Sequence, residues 1–372
     1  MIKPALTKAS RVMLIAPHPD DESLAAGVFL QRAVAASAQV RVIYVTDGDD
    51  NPWPQRILEK RWRLNASDRA RWGKRRRREA IEALKVLGLD ATNARFLGLP
   101  DQRLTDALLH ECDGLSKRMA RMIVEWNPTH LLCPSELDTH PDHSAVALLI
   151  RFALDRVPAN TTFALLNYLV HGRRTLFQRL AVDLRQNARE TAIKRRAIAQ
   201  HLTQVKFSRR RFMAYAKRPE YFLNASAQPG VAAGGTVRGA FRTLEQLRLV
   251  LRFRMKPLSK ERPTLYLVGR SRANSPLTLK MQLPSHAAHI QITDCVTTNR
   301  IGVADYRGTP SQGLLTFPVE LFAPDRPVFA KISRRRWCFD EAGWMVIAPL
   351  ASCWLPIASA AIDQLADQLA LF

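Results

Sequence analysis

Along the first two hundred residues, short apolar runs alternate with longer stretches in which apolar residues return every three or four positions. That alternation predicts βαβ units around a mostly parallel sheet. The apolar runs predict strands at residues 11–16, 40–46, 94–97, 130–133 and 162–166. Helical periodicity fills residues 23–36, 55–87, 105–126 and 143–154. The punctuation agrees: Gly88 follows Leu87 as a helix stop, and Asn127-Pro128 closes the helix before the strand at His130.

From about residue 263 the period changes to two, with turn residues between short runs at 264–268, 278–282, 288–293, 314–318, 328–332 and 344–347. Short strands at such spacing predict a β-rich, sandwich-like module. The pattern divides the chain into an α/β domain over 1–230, a linker or connecting helix over 231–262, and a β-rich domain over 263–372 ending in a helix. The boundary falls either in 225–235, where Ala, Gly, Ser and Pro crowd together, or in 256–263. Residues 342–362 carry no charge and are long enough to span a bilayer, but Pro349 and Pro356 interrupt them. A core strand followed by a tail helix is the expectation there.

Composition narrows the class. With 372 residues, 47% of them hydrophobic, the chain can bury a full core, which excludes disorder as its default state. Lys and Arg number 56 against 33 Asp and Glu, a net charge of +23 that implies a polyanionic neighbour. The excess is concentrated: residues 56–78 hold eleven Lys or Arg against two acids, and 194–218 hold nine with no acid. Trp62, Trp72, Phe207 and Phe212 are interleaved with them. Such runs are often plain solvated helix faces; this density points to a surface that faces phosphates or an anionic membrane. The five cysteines are scattered without a C-x-x-C pair, so neither a disulfide framework nor a thiolate metal site is indicated. The apolar run at 12–16 is too short for a signal-peptide core. Together these predict a cytoplasmic protein, with the inner face of the membrane as a peripheral location.

Chemistry concentrates at two strand ends. Pro17-His18-Pro19-Asp20-Asp21-Glu22 directly follows the first strand, and Asp138-Thr139-His140-Pro141-Asp142-His143 follows the strand at 130–133 and opens a helix. In an α/β sheet, the carboxyl ends of the strands are where ligands bind. Three adjacent carboxylates repel one another unless a cation neutralises them. The first motif alone is equally readable as a solvated acidic turn capping the next helix, with Asp21 or Ser23 as the cap. A second His-Pro-Asp turn in the same topological position favours a metal site.

Taken together, these motifs resemble the PIG-L/LmbE-like family of zinc-dependent N-acetylglucosaminyl de-N-acetylases. Further segments follow the family pattern in order: Thr46-Asp47-Gly48, then Arg76, Glu79, Ala83 and Leu87-Gly88, then Phe96-Leu97-Gly98 with Asp101, then Ala199, His201 and Gln204. The resemblance covers roughly residues 10–225. It implies a Rossmann-like, mostly parallel sheet flanked by helices, with the β-rich carboxyl-terminal domain as an addition. It further implies that His18, Asp21 and His143 hold one Zn2+, or iron in the same ligand set, with a fourth position left for water. Asp20 would be the general base. A protonated His140, oriented and kept cationic by Asp142, would stabilise the oxyanion together with the metal, and His140 or Asp20 would return a proton to the leaving amine. Arg76, Asp47 and Asp101 would lie against the substrate, an N-acetylated amino sugar in a glycoconjugate such as a lipopolysaccharide or glycolipid. Pro17 and Asp138 depart from the pattern: some members carry a tyrosine where Asp138 stands. Two other readings stay open, a metal-dependent hydrolase of another acyl or phosphoryl bond, and a nucleic-acid-binding protein. The second lacks any helix-turn-helix, zinc-finger or RNP pattern.

Overall fold

The computed structural model describes residues 6–172, 181–224, 236–243, 245–252, 263–309, 312–318, 320–333 and 339–350. Two compact units emerge, one built on a seven-stranded sheet and one on a nine-stranded sheet.

The first sheet contains β1 (Arg11–Ala16), β2 (Gln39–Thr46), β3 (Ala94–Leu99), β4 (His130–Pro134), β5 (Ala164–Tyr168), β6 (Val182–Leu184) and β7 (Glu220–Asn224), in the order β3-β2-β1-β4-β5-β7-β6. β1 to β5 run parallel; β7 joins β5 antiparallel and pairs with β6. β1 and β4 are buried nearly throughout, as expected of central strands covered on both faces. The helices are α1 (Asp21–Ala25), α2 (Gly27–Ala35), α3 (Pro52–Glu59), α4 (Ala66–Val86), α5 (Leu104–Trp126), α6 (Pro141–Leu154), α7 (Ala188–Gln200), α8 (Leu202–Val205) and α9 (Arg209–Ala214). Val12, Leu14, Val42 and Tyr44 of the sheet pack with Val28 and Phe29 of α2, Ala80 and Leu84 of α4, and Ala197 and Ile198 of α7.

Two predicted helices are each divided in the structure. The pattern over 55–87 becomes α3 and α4, because Lys60 turns left-handed at φ 54° and Asn65 starts a new helix. The Asn65 side chain accepts from Asp68 N at 2.9 Å while Asp68 accepts from Asn65 N at 3.1 Å, a reciprocal capping box. The pattern over 23–36 breaks at Ala26, where a distant carboxylate intervenes. Glu220 on β7 accepts from Val28 N at 2.7 Å and Phe29 N at 2.9 Å, satisfying the open amides of α2. Lys194 Nζ balances that buried charge at 2.7 Å.

The second sheet is wholly antiparallel, in the order β16-β15-β10-β11-β12-β13-β14-β9-β8. Its strands are β8 (Val237–Arg242), β9 (Gln246–Arg252), β10 (Thr264–Arg270), β11 (Pro276–Gln282), β12 (Ala288–Asp294), β13 (Arg300–Gly308), β14 (Gln312–Pro318), β15 (Val328–Ser333) and β16 (Met345–Ile347). It is one continuous sheet, with β8 packing near β15 and β16, where a sandwich of two sheets had been expected. Leu247, Leu249, Leu251, Leu265, Leu267, Leu315 and Phe317 share a single core. The expected linker or connecting helix over 231–262 instead carries the β8–β9 pair. The alternation Leu247, Leu249, Leu251 is a strand period that the neighbouring basic residues obscure. The predicted boundary at 225–235, the carboxyl-terminal helix and the part of 342–362 beyond 350 lie outside the described residues. Among the described residues, no helix is long and apolar enough to cross a membrane.

Candidate active site

The chain builds outward from β1 to β2 and β3 on one side and to β4 and β5 on the other. The carboxyl ends of β1 and β4 therefore flank the point where the strand order reverses. β1 and β4 pair in parallel with Val12 opposite His130 and Leu14 opposite Leu132, so both His-Pro-Asp motifs leave the same edge of the sheet.

In the first motif, the His18 amide donates to Asp21 Oδ2 at 2.9 Å, and His18 Nδ1 lies 3.6 Å from the same oxygen. His18 Nε2 meets Asp101 Oδ1 at 3.1 Å. A carboxylate on Nε2 places the ring proton there and leaves the Nδ1 lone pair facing the Asp21 side. Burial by itself would raise the Asp101 carboxyl, but the hydrogen bond and charge of His18, with Arg76, hold it below its ordinary value.

Asp20 is held in an uncommon backbone conformation, φ 153° and ψ −22°, at the start of α1. Such strain persists only where surrounding contacts over-determine it. Its amide donates to Glu22 Oε2 at 3.0 Å, and its carboxylate meets Arg76 Nη2 at 3.1 Å. Arg76 also donates to Pro19 O and Gly48 O, each at 2.9 Å. Burial is the main reason the Asp20 carboxyl is pushed up to about 6; the Arg76 charge restrains it, and the neighbouring Asp21 raises it. Gly48 has φ +63°, and a side chain there would overlap the Arg76 guanidinium.

Arg76, Asp47 and Asp101 were expected at the substrate. Arg76 is buried and directed at Asp20, Asp101 is buried and directed at His18, and Asp47 pairs with Arg77 at 2.5 Å. Glu22 accepts from Ser23 Oγ at 2.6 Å and meets His201 Nε2 at 2.8 Å, while Glu79 accepts from Thr203 N and Oγ1. Burial would lower the His201 ring, but Glu22 foremost, then Asp20 and Glu79, lifts it above its usual value. The R-x-x-E spacing of α4 thus ties the first motif to the segment after α7. Sequence reasoning had matched these residues to a pattern without giving Glu22, Glu79 or His201 any role. The i, i+3 spacing of Arg76 and Glu79, one helix face, was the available signal.

In the second motif, Asp138 accepts from His140 N at 2.8 Å and meets His143 Nδ1 at 3.2 Å. Asp138 therefore orients the His143 ring and anchors the His140 backbone, a role that its reading as a departure from the family does not include. Its contact on Nδ1 leaves Nε2 of His143 with the lone pair. The Asp142 amide points at His140 Nδ1 at 3.3 Å, an arrangement that suits a neutral ring with its proton on Nε2. The two rings stand 5.0 Å apart.

Among the described residues, two groups each offer ligand atoms that all lie within 4.8 Å of one another: His18, His140 and His143, and His18, Asp101 and Asp142. All of these residues are buried. The donor chemistry fits a metal. Zinc binds imidazole and carboxylate at about 2.0–2.2 Å, so two tetrahedral ligands stand about 3.3 Å apart. The His18 Nδ1 to Asp21 Oδ2 separation of 3.6 Å is near that span. Asp101 on His18 and Asp138 on His143 supply the carboxylates that orient metal-binding imidazoles.

Residues 13–154 match the family model described as PIG-L, GlcNAc-PI de-N-acetylase, and form a PIG-L-family domain. A 1D-myo-inositol 2-acetamido-2-deoxy-alpha-D-glucopyranoside deacetylase of Mycobacterium avium (strain 104) is 32% identical over 155 residues, covering 37% of this chain and 49% of the relative. A probable N-acetyl-alpha-D-glucosaminyl L-malate deacetylase 2 of Bacillus cereus is 27% identical over 148 residues, covering 40% and 62%. The chain spans about half the length of the Mycobacterium avium relative. A solved structure of the N,N'-diacetylchitobiose deacetylase from Pyrococcus horikoshii is 18% identical with a TM-score of 0.45, covering 57% of this chain and 83% of that one.

Proposed function

We propose that the protein is a zinc-dependent de-N-acetylase that hydrolyses the N-acetyl group of a GlcNAc-type sugar in a glycoconjugate. The observation that carries this reading is a buried carboxylate, Asp20, pushed up to about 6 beside a group of imidazoles and carboxylates with metal-ligand chemistry. His18, Asp21 and His143 would hold the ion, and when bound it supplies Lewis-acid polarisation of the acetamide carbonyl and acidifies water. Asp20 takes the proton of the attacking water, a task suited to a base whose affinity for protons lies near neutral pH. Arg76 fixes the carboxylate that makes this transfer. The His140 Nε2–H donates to the oxyanion of the tetrahedral adduct. Asp20 then passes its proton to the sugar nitrogen as the C–N bond breaks, giving acetate and a free amine. Asp20 already holds the proton taken from water, and the Asp142 amide at His140 Nδ1 leaves that ring's Nε2–H for the oxyanion. The likeness of residues 13–154 to deacetylases of acetamido sugars supports the substrate class.

Metal analysis and acetate release together test this. His143→Ala is expected to lose about one bound divalent ion per chain, as when one of three protein ligands is removed. Asp20→Asn is expected to keep the ion and release no acetate from an N-acetylglucosaminide. Unchanged metal content in the first variant, or full turnover in the second, would overturn the respective assignment.

A further inference from the structure

Large apolar side chains are exposed on two neighbouring segments of the first unit. On α3, Trp53 and Ile57 are four residues apart and so share one helix face, 41% and 53% exposed; Trp62, just past the helix, is 73% exposed. α3 packs against α8, where Leu202 is 44% exposed, and Phe207 shortly after it is 43% exposed. The opposite face of α3 is committed to the fold: Pro54 and Gln55 are buried, and Gln55 Nε2 donates to Asp68 O at 2.8 Å. Scattered exposed apolar residues need no explanation, but two contacting segments that each present them do.

Charge decides the occupant. In the basic run over 56–78, six arginines are spent on internal acids: Arg61, Arg69, Arg71, Arg75, Arg76 and Arg77 meet Asp68, Asp50, Glu59, Glu79, Asp20 and Asp47 respectively. Apart from Arg61, which adjoins Trp62 and meets Asp68, the cations nearest in sequence to the apolar residues are different. Among the described residues, no carboxylate pairs with Arg56, Lys60 or Arg63 beside Trp53, Ile57 and Trp62, or with Lys206, Arg209 or Arg210 beside Leu202 and Phe207. Tryptophan and phenylalanine among uncompensated Lys and Arg match an anionic bilayer surface: the rings enter the headgroup boundary while the cations meet lipid phosphates. A protein partner would call for complementary carboxylates; a nucleic acid makes little use of exposed Ile57 and Leu202. The position also suits such a surface, because α3 begins at Pro52, four residues after Gly48, which accepts from Arg76. The apolar segment thus leaves the same edge of the sheet as the candidate active site.

We propose that α3, the segment after it, and the α8–Phe207 segment form a docking surface for an anionic lipid bilayer. This inference is independent of the deacetylase reading, since its test measures binding and not turnover. The full chain is mixed with vesicles of phosphatidylcholine alone and of phosphatidylcholine with about 30% phosphatidylglycerol, and co-sedimentation and tryptophan fluorescence are recorded; anionic lipid is what attracts basic segments. Binding to the anionic vesicles only, a blue shift of the emission, and at least a roughly tenfold weakening between about 0.1 M and 0.5 M salt are expected. The double variant Ile57→Asp/Phe207→Asp should lower partitioning at least roughly tenfold, because two apolar insertions are replaced by charge of the wrong sign. Its circular dichroism and melting temperature should match wild type, since both sites are exposed. Equal binding to both vesicle types, binding to neither, or unchanged binding by the folded double variant would each overturn the proposal. So would self-association that the double variant abolishes without any vesicle binding, or capture by duplex DNA in preference to vesicles.

Discussion

Replacing Asp20 with asparagine should make the stability of the metal-free protein, measured relative to wild type, rise with pH while abolishing its chemistry. The wild-type carboxyl is about 7% exposed and pushed up to about 6. In an unfolded chain it titrates near 3.9. A folded value above the unfolded one means that the native state binds the proton more tightly. The associated stability is complete below the unfolded value and is lost as pH rises through about 6. Two pH units correspond to about 3 kcal/mol in total. Between about pH 4.5 and 7.5 the loss is about 2 kcal/mol, since part of the carboxyl in the unfolded chain is already ionised at the lower pH. Asparagine carries no such proton, so the stability of the variant minus that of wild type should rise by about 2 kcal/mol over that interval. For a unit of this size that is a relative shift of about 4–8 °C in melting temperature. Scanning calorimetry of both proteins in excess chelator, at several pH values, measures it. Working without metal removes any direct effect of the ion on the carboxyl. Melting curves that stay parallel across the whole pH range would refute the claim that burial, only partly offset by Arg76, holds Asp20 in an unfavourable ionised state. The same variant should release no acetate when metal is restored, so the site would be trading stability for a base of useful strength.

Other perturbations probe how that base is positioned. Arg76→Gln removes the charge that restrains Asp20, so the acidic limb of kcat/KM should move to higher pH; losing one partner of a buried pair should also cost about 3 kcal/mol. An unmoved limb would show that Arg76 does not act on Asp20. Gly48→Ala should destabilise by about 1–3 kcal/mol, because φ +63° disfavours a side chain and the new methyl overlaps the Arg76 guanidinium. Gly114→Ala, in α5 with open space around it, should instead stabilise by about 0.4–1 kcal/mol. Thermal melts of the two variants give opposite signs if local geometry is the cause.

Much of the first unit was legible because short-range patterns carry it. The runs that became β1, β2 and β4 are nearly continuous apolar segments, the signature of parallel strands buried on both faces. The His-Pro-Asp motifs were placed correctly because each sits immediately after such a run. The division of the 55–87 helix at Lys60 and Asn65 was a local signal passed over, whereas the other failures depended on partners far away in sequence. The break at Ala26 depends on Glu220, brought from β7 to satisfy amides of α2. The β8–β9 pair in the supposed linker depends on β14, which supplies the hydrogen-bonding edge for β9.

By itself, the sequence determined the parallel α/β frame and which residue types stand at the ends of β1 and β4, since apolar periodicity and adjacency to a strand are local properties of the chain. Only the tertiary structure decided what those residues do to one another. It turned Arg76 from an expected substrate contact into a clamp on Asp20, set Asp101 and Asp138 against the ring nitrogens of His18 and His143, and raised the Asp20 carboxyl toward neutrality. A carboxylate's affinity for a proton depends on how much water is excluded around it and on which charges face it, and both are fixed by elements that meet only when the chain folds.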